Sequence, residues 1–84
     1  MDRSQFEELM NGNVRGWEGD NALQGLKVIE KYIPGRGIDS ADRGIIYSVD
    51  VDELIDAGIT VEDVEKLCRL DWFIEDNEYL ACYV

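Results

Sequence analysis

The side chains best able to do chemistry in this sequence are carboxylates, and they crowd its second half. Residues 50–84 hold eleven acids against two bases, Lys66 and Arg69, whereas residues 1–49 hold eight acids against six bases. The net charge is −11. Carboxylates three or four residues apart on a helix stand about 5–6 Å from one another, comparable to phosphates along a nucleic-acid strand. Asp52, Glu53 and Asp56 on one helix, Glu62, Asp63 and Glu65 on the next, and Glu75, Asp76 and Glu78 at a hairpin tip would therefore present an anionic array to a basic groove. The same field repels nucleic acid and anionic membranes. The expected partner is a protein with a basic surface, not a nucleic acid or a membrane. Solubility alone would also account for a solvated acidic surface, but concentrated like charge costs the fold stability, and a use for the charge explains that cost.

Catalysis finds little support in the residue types. The chain has no histidine, the commonest general base near neutral pH. Its two cysteines, Cys68 and Cys82, lie in the acidic half, where neighbouring charge opposes a thiolate, and both read as buried thiols that pack as small hydrophobes, with a single disulfide between them as the alternative. Paired carboxylates could hydrolyse a glycoside, but that needs a substrate cleft few domains of this size possess. Gly35-Arg36-Gly37 is a turn and not a phosphate loop, having no strand before it. Asp50-Val51-Asp52 opens like a calcium loop, yet position five would be Leu54, position six Ile55 and position twelve Val61, none of which suits that loop. No enzymatic activity, cofactor or metal is expected.

These side chains need elements to position them, and 84 residues with 45% hydrophobic content suffice for one domain. Ser4 with Glu7 matches a capping box for a helix over residues 4–10, with Phe6, Leu9 and Met10 on one face. Residues 11–19 read as a loop in which Trp17 anchors to the core. Asp20 or Asn21 caps a second helix reaching about Ile33, with Ala22, Leu23, Leu26, Ile29 and Ile33 at helical spacing and Gly25 as a modest weakness. Pro34-Gly35-Arg36-Gly37 ends it.

Residues 44–49 (GIIYSV) read as a strand. A short helix over 51–57 follows, capped by Ser48 or Asp50 and stopped by Gly58. Thr60 caps the next helix, residues 61–69, whose Val64, Leu67 and Cys68 face inward. That helix pair has the outline of a helix-turn-helix, but its second helix opens with Glu62, Asp63 and Glu65 where a DNA reader is basic. Trp72-Phe73-Ile74 and residues 79–84 then form a hairpin around Glu75-Asp76-Asn77-Glu78. Pairing Ile74 with Tyr79 would put Phe73, Leu80, Cys82 and Val84 on one face and Trp72, Ile74, Tyr79, Ala81 and Tyr83 on the other. Both faces are apolar, so either helices cover both or one aromatic face is left for a partner. The fold class expected is α+β, with two N-terminal helices, two short helices and a three-stranded, mostly antiparallel sheet.

The strings Ile46-Tyr47-Ser48-Val49-Asp50-Val51-Asp52-Glu53-Leu54 and Ala57-Gly58-Ile59-Thr60-Val61-Glu62-Asp63, with residues 67–72 and Leu80-Ala81-Cys82-Tyr83-Val84, resemble small acidic proteins of tailed bacteriophages and prophages. The resemblance covers nearly half the chain and implies a host-directed accessory role, as in anti-CRISPR and anti-restriction inhibitors; it carries no site residues with it. The expectation is a phage-type inhibitor in the host cytoplasm that docks its acidic surface on a host defence or nucleic-acid-handling protein, in the manner of a nucleic-acid mimic. Trp72, Tyr79 and Tyr83 would anchor the contact. The alternative is a structural or assembly protein that forms a homodimer through the hairpin.

Overall fold

The computed structural model describes residues 1–12 and 20–83. The elements run α1 (Arg3–Gly12), α2 (Asn21–Tyr32), β1 (Ser40–Asp42), β2 (Ile45–Asp50), α3 (Val51–Asp56), α4 (Val61–Arg69), β3 (Phe73–Glu75) and β4 (Tyr79–Tyr83). The α+β class is as expected, but the sheet has four strands and not three, in the order β1-β2-β4-β3 with every neighbouring pair antiparallel. The extra strand, β1, is Ser-Ala-Asp with all three residues exposed. It lacks the apolar alternation that marks a strand in sequence and exists because β2 offers it a hydrogen-bonding edge.

Local chemistry starts most of the helices as expected. Asp20 accepts from the Leu23 backbone N–H at 3.2 Å, Asp50 from Asp52 at 2.8 Å and Thr60 Oγ1 from Asp63 at 3.2 Å. Each satisfies one of the amide groups that a helix start leaves without a partner. In α1 the cap is Asp2, not Ser4. The Asp2 carboxylate accepts from the Gln5 amide at 2.8 Å, the helix begins a residue earlier, and Glu7 pairs with Arg3 at 3.5 Å instead of closing a capping box. Trp17 lies outside the described residues.

One side of the sheet faces the core. Ile46 and Val49 of β2, with Leu80 and Cys82 of β4, pack among Phe6 and Met10 of α1, Val28 and Ile29 of α2, Val51 and Leu54 of α3, and Val64, Leu67 and Cys68 of α4. Leu23 falls outside this core at 45% exposure, and the buried face of α2 is instead Gly25, Val28 and Ile29. Trp72 is fully buried, and its indole N–H donates to the Asn21 carbonyl at 3.1 Å. Burying a large apolar side chain contributes about 1.5–3 kcal/mol, and the hydrogen bond removes the cost of leaving a polar N–H unpaired.

The hairpin register differs from the expected one by a residue. Phe73 pairs with Ala81, Ile74 with Leu80 and Glu75 with Tyr79. The turn uses three residues and not four, with Asp76 and Asn77 both left-handed at φ 55° and the Glu78 amide donating to the Glu75 carbonyl at 3.0 Å. Asp and Asn tolerate that conformation better than other non-glycine residues. A one-residue slip moves side chains to the opposite face. Ile74 therefore joins Leu80 and Cys82 on the core side, and Phe73 moves to the outer side with Ala81. Val84 lies outside the described residues.

Candidate partner-binding surface

The outer side of the sheet is built from alternate residues of all four strands. Ser40 and Asp42 of β1 stand opposite Tyr47 and Ile45 of β2, which in turn oppose Ala81 and Tyr83 of β4. Phe73 and Glu75 of β3 oppose Ala81 and Tyr79. None of Ile45, Tyr47, Phe73, Tyr79 or Tyr83 belongs to the core or packs against it. Tyr83 is 62% exposed. Ala81, the small residue at the centre of this face, is fully buried beneath its neighbours, and the rings of Phe73 and Tyr83 stack across it with centroids 5.0 Å apart. Diagonal neighbours on adjacent strands are within reach of aromatic side chains.

Carboxylates rim the face. At the hairpin end, Asp39, Ser40, Tyr47, Asp76 and Tyr79 line an open hollow of about 250 Å³. Burial raises the Tyr47 hydroxyl above its ordinary value, and the negative charges of Glu75, Asp42 and Asp76 push it further the same way. The phenol therefore stays neutral near pH 7 and sits in a negative field. Arg36 approaches Asp39 at 4.0 Å, the long limit of an ion pair.

The expected site residues separate into three groups. Asp52, Glu53 and Asp63 are neutralised within the chain, by Arg3 at 3.2 Å, Arg36 at 2.6 Å and Lys31 at 2.9 Å. Asp63 also accepts from the Tyr32 hydroxyl and joins the end of α2 to the start of α4. Partial burial works against its ionised form, but the hydrogen bonds from Tyr32 and Lys31 prevail and hold its carboxyl below the usual range. These three carboxylates are part of the fold. By contrast, Asp56, Glu62, Glu65, Glu75, Asp76 and Glu78 pair with no cation among the described residues. Trp72 is the correction in the third group: an indole with no exposure and a backbone partner in α2 is a core residue and cannot reach a partner.

The structure brings Glu75, Asp76, Tyr79 and Tyr83 together on the outer sheet face. The acids of α3 and α4 lie elsewhere, although the Val51 amide at the start of α3 donates to the Glu78 carbonyl at 2.8 Å and so ties that helix to the hairpin. Asp39, Asp42, Ile45, Tyr47 and Phe73 complete the face and were not among the expected site residues. The alternation Ile45, Tyr47 in β2 was a readable signal for part of it.

The thiols offer no reactive site. Cys68 Sγ donates to the Met10 carbonyl at 3.0 Å in the core, and burial, aided by the charge of Asp71, pushes the Cys82 thiol up to about 11. Among the described residues no group of three or more Cys, Asp or Glu side chains is placed to hold a metal ion, and no helix is long and apolar enough to cross a membrane. The chain matches no protein-family model, no curated protein and no solved structure.

Proposed function

We propose that this protein acts by binding, docking its acidic surface on a basic surface of another protein. The observation that carries this reading is the division of the carboxylates. The fold neutralises Asp52, Glu53 and Asp63 with its own cations, while Asp56, Glu62, Glu65, Glu75, Asp76 and Glu78 stand without such partners among the described residues. An anionic surface of this kind steers a basic partner and accelerates its encounter. The resemblance of residues 46–84 to small acidic phage proteins supports a more specific form, an inhibitor that occupies the nucleic-acid groove of a host defence or nucleic-acid-handling protein.

The test is a pull-down from a bacterial lysate at low and high salt, followed by association kinetics with the captured protein. Affinity should fall steeply as salt rises, and the Glu62→Lys/Glu65→Lys double variant should associate more slowly. Capture that is indifferent to salt overturns the charge-driven reading. Self-assembly through the hairpin is the alternative, and light scattering at high protein concentration distinguishes it; the carboxylates of Glu75 and Asp76 weigh against that contact.

A further inference from the structure

We propose that the outer sheet face is the part of this surface that engages the partner, and that the hollow between Asp39 and Asp76 takes an arginine side chain. The inference rests on the docking reading above and gives it an address. The hollow, about 250 Å³ in volume, has two tyrosines and a serine in its lining and a carboxylate at Asp39 and another at Asp76. Its volume lies below the roughly 300–1,000 Å³ of typical small-molecule pockets, which suits one side chain better than a free metabolite.

Charge decides the occupant. Tyr47 sits in the combined negative field of Glu75, Asp42 and Asp76, so an anionic ligand, nucleic acid or lipid headgroup included, is repelled. A second copy of this chain would place the same carboxylates against one another. A cationic side chain suits the site, and arginine suits it better than lysine. The guanidinium is planar, stacks on aromatic rings and meets a carboxylate with two parallel hydrogen bonds, whereas the ammonium is a compact, strongly hydrated point charge. Of the chain's own arginines nearby, Arg36 has Glu53 as its close partner at 2.6 Å and reaches Asp39 only at 4.0 Å. Arg43 is in the β1–β2 turn, at the opposite end of the strands from the Asp76 turn. Beyond the hollow, the stacked Phe73 and Tyr83 rings extend the aromatic floor, with Tyr83 the most exposed of the large hydrophobic side chains among the described residues.

The experiment titrates the full chain with an oligoarginine peptide and with an oligolysine peptide of equal length, followed by NMR. Shifts should concentrate on Tyr47, Tyr79, Asp76 and their β-sheet neighbours, and oligoarginine should bind about two- to fivefold more tightly, the yield of a stacked cation at a wet site. The isosteric pair Asp39→Asn/Asp76→Asn, chosen because asparagine keeps the left-handed turn residue, should weaken oligoarginine about tenfold. Glu8→Gln, an exposed acid of α1 outside the carboxylates assigned to docking, should change it by less than about twofold. Equal affinity for the two peptides, or an unaltered affinity in the Asp39/Asp76 variant, overturns the inference. Salt-sensitive binding with shifts confined to α3 and α4 overturns it too, while leaving the broader docking reading standing; failure of both peptides to bind at low salt overturns both.

Discussion

Gly25 of α2 lies directly against the indole ring of Trp72, so close that a single methyl group at position 25 would overlap the ring nitrogen and its neighbouring carbons. The same nitrogen donates its proton to the Asn21 carbonyl one turn earlier in α2. The helix thus gives up a side chain at one position so that Trp72, the largest fully buried side chain among the described residues, can lie against its backbone. Alanine is a better helix former than glycine by about 0.8–1 kcal/mol, so propensity alone predicts that Gly25→Ala stabilises the protein. Packing predicts the reverse, because overpacking a close-packed core costs about 1–3 kcal/mol, and here the obstacle is a rigid ring. The expected outcome is a lower urea midpoint for Gly25→Ala. Pairing it with Trp72→Phe should cost less than the two single changes added together, since the smaller ring relieves the overlap. A Gly25→Ala variant as stable as the parent would refute this account of the contact.

Asp63 joins α2 to α4 through Lys31, Tyr32 and Thr60, and its side chain is only 14% exposed. Its carboxyl is held below the usual range in the folded state, so the folded chain binds this proton less readily than the unfolded chain. The resulting stability is fully present above the ordinary carboxylate value, near pH 4, and is lost as pH falls through the lowered value. Asp63→Asn should cost about 1–2 kcal/mol near pH 7 and flatten the acid limb of the stability profile. Urea midpoints measured from pH 7 down to pH 3 check both parts.

How far the sequence showed this arrangement depends on the range of the interaction concerned. Asp20, Asp50 and Thr60 were readable as caps because a cap bonds an amide two or three residues along the same chain. The hairpin register was not, because it depends on whether Asp76 and Asn77 adopt left-handed backbone, and four-residue and three-residue turns suit the same letters. That single residue decided whether Phe73 was a core side chain or part of an open face. β1 was hidden for a different reason: Ser40, Ala41 and Asp42 carry no strand signal and are ordered by pairing with β2. Among the acids, composition gave the total charge, whereas the capture of Asp52 by Arg3 joins residues 49 positions apart and required the fold.

Cys82 supplies a test of burial that needs no partner. Its thiol is pushed up from 9.0 to about 11, first by burial and then by the charge of Asp71, and it accepts a hydrogen bond from Asn21 at 3.4 Å. At pH 8 the native thiol should react with iodoacetamide far more slowly than the unfolded chain, whose thiol has an ordinary pKa. The sign of the pH effect follows from the raised value. The folded chain keeps this proton after the unfolded chain has lost it, so the contribution to stability is intact below pH 9 and declines as pH rises towards 11. Native alkylation at the unfolded rate would show that the site opens to solvent.

Salt should stabilise this protein, although it weakens each of its ion pairs. The molecule measures 30 × 27 × 23 Å and carries a net charge of −11. At about 10 mM ionic strength the screening length is about 30 Å, so every charge acts on every other across the whole fold. At about 150 mM it is about 8 Å, and only close neighbours still interact. Raising salt between these limits removes the long-range repulsion among carboxylates such as Asp56, Glu62 and Glu78, none of which has a described cation partner. It removes less of the attraction within Arg36–Glu53 at 2.6 Å or Lys31–Asp63 at 2.9 Å, because those pairs lie well inside a screening length. An exposed pair such as Arg36–Glu53 contributes only about 0–1 kcal/mol in any case. Repulsion therefore dominates the balance, and the thermal midpoint should rise over this range with sodium chloride. Neutralising the repelling side by Asp56→Asn and Glu78→Gln should reduce the size of the rise, whereas Arg36→Gln, which frees Glu53, should enlarge it. A midpoint that falls with added salt would mean that the ion pairs outweigh the net charge, and the carboxylates would then be less strained by one another than their number implies.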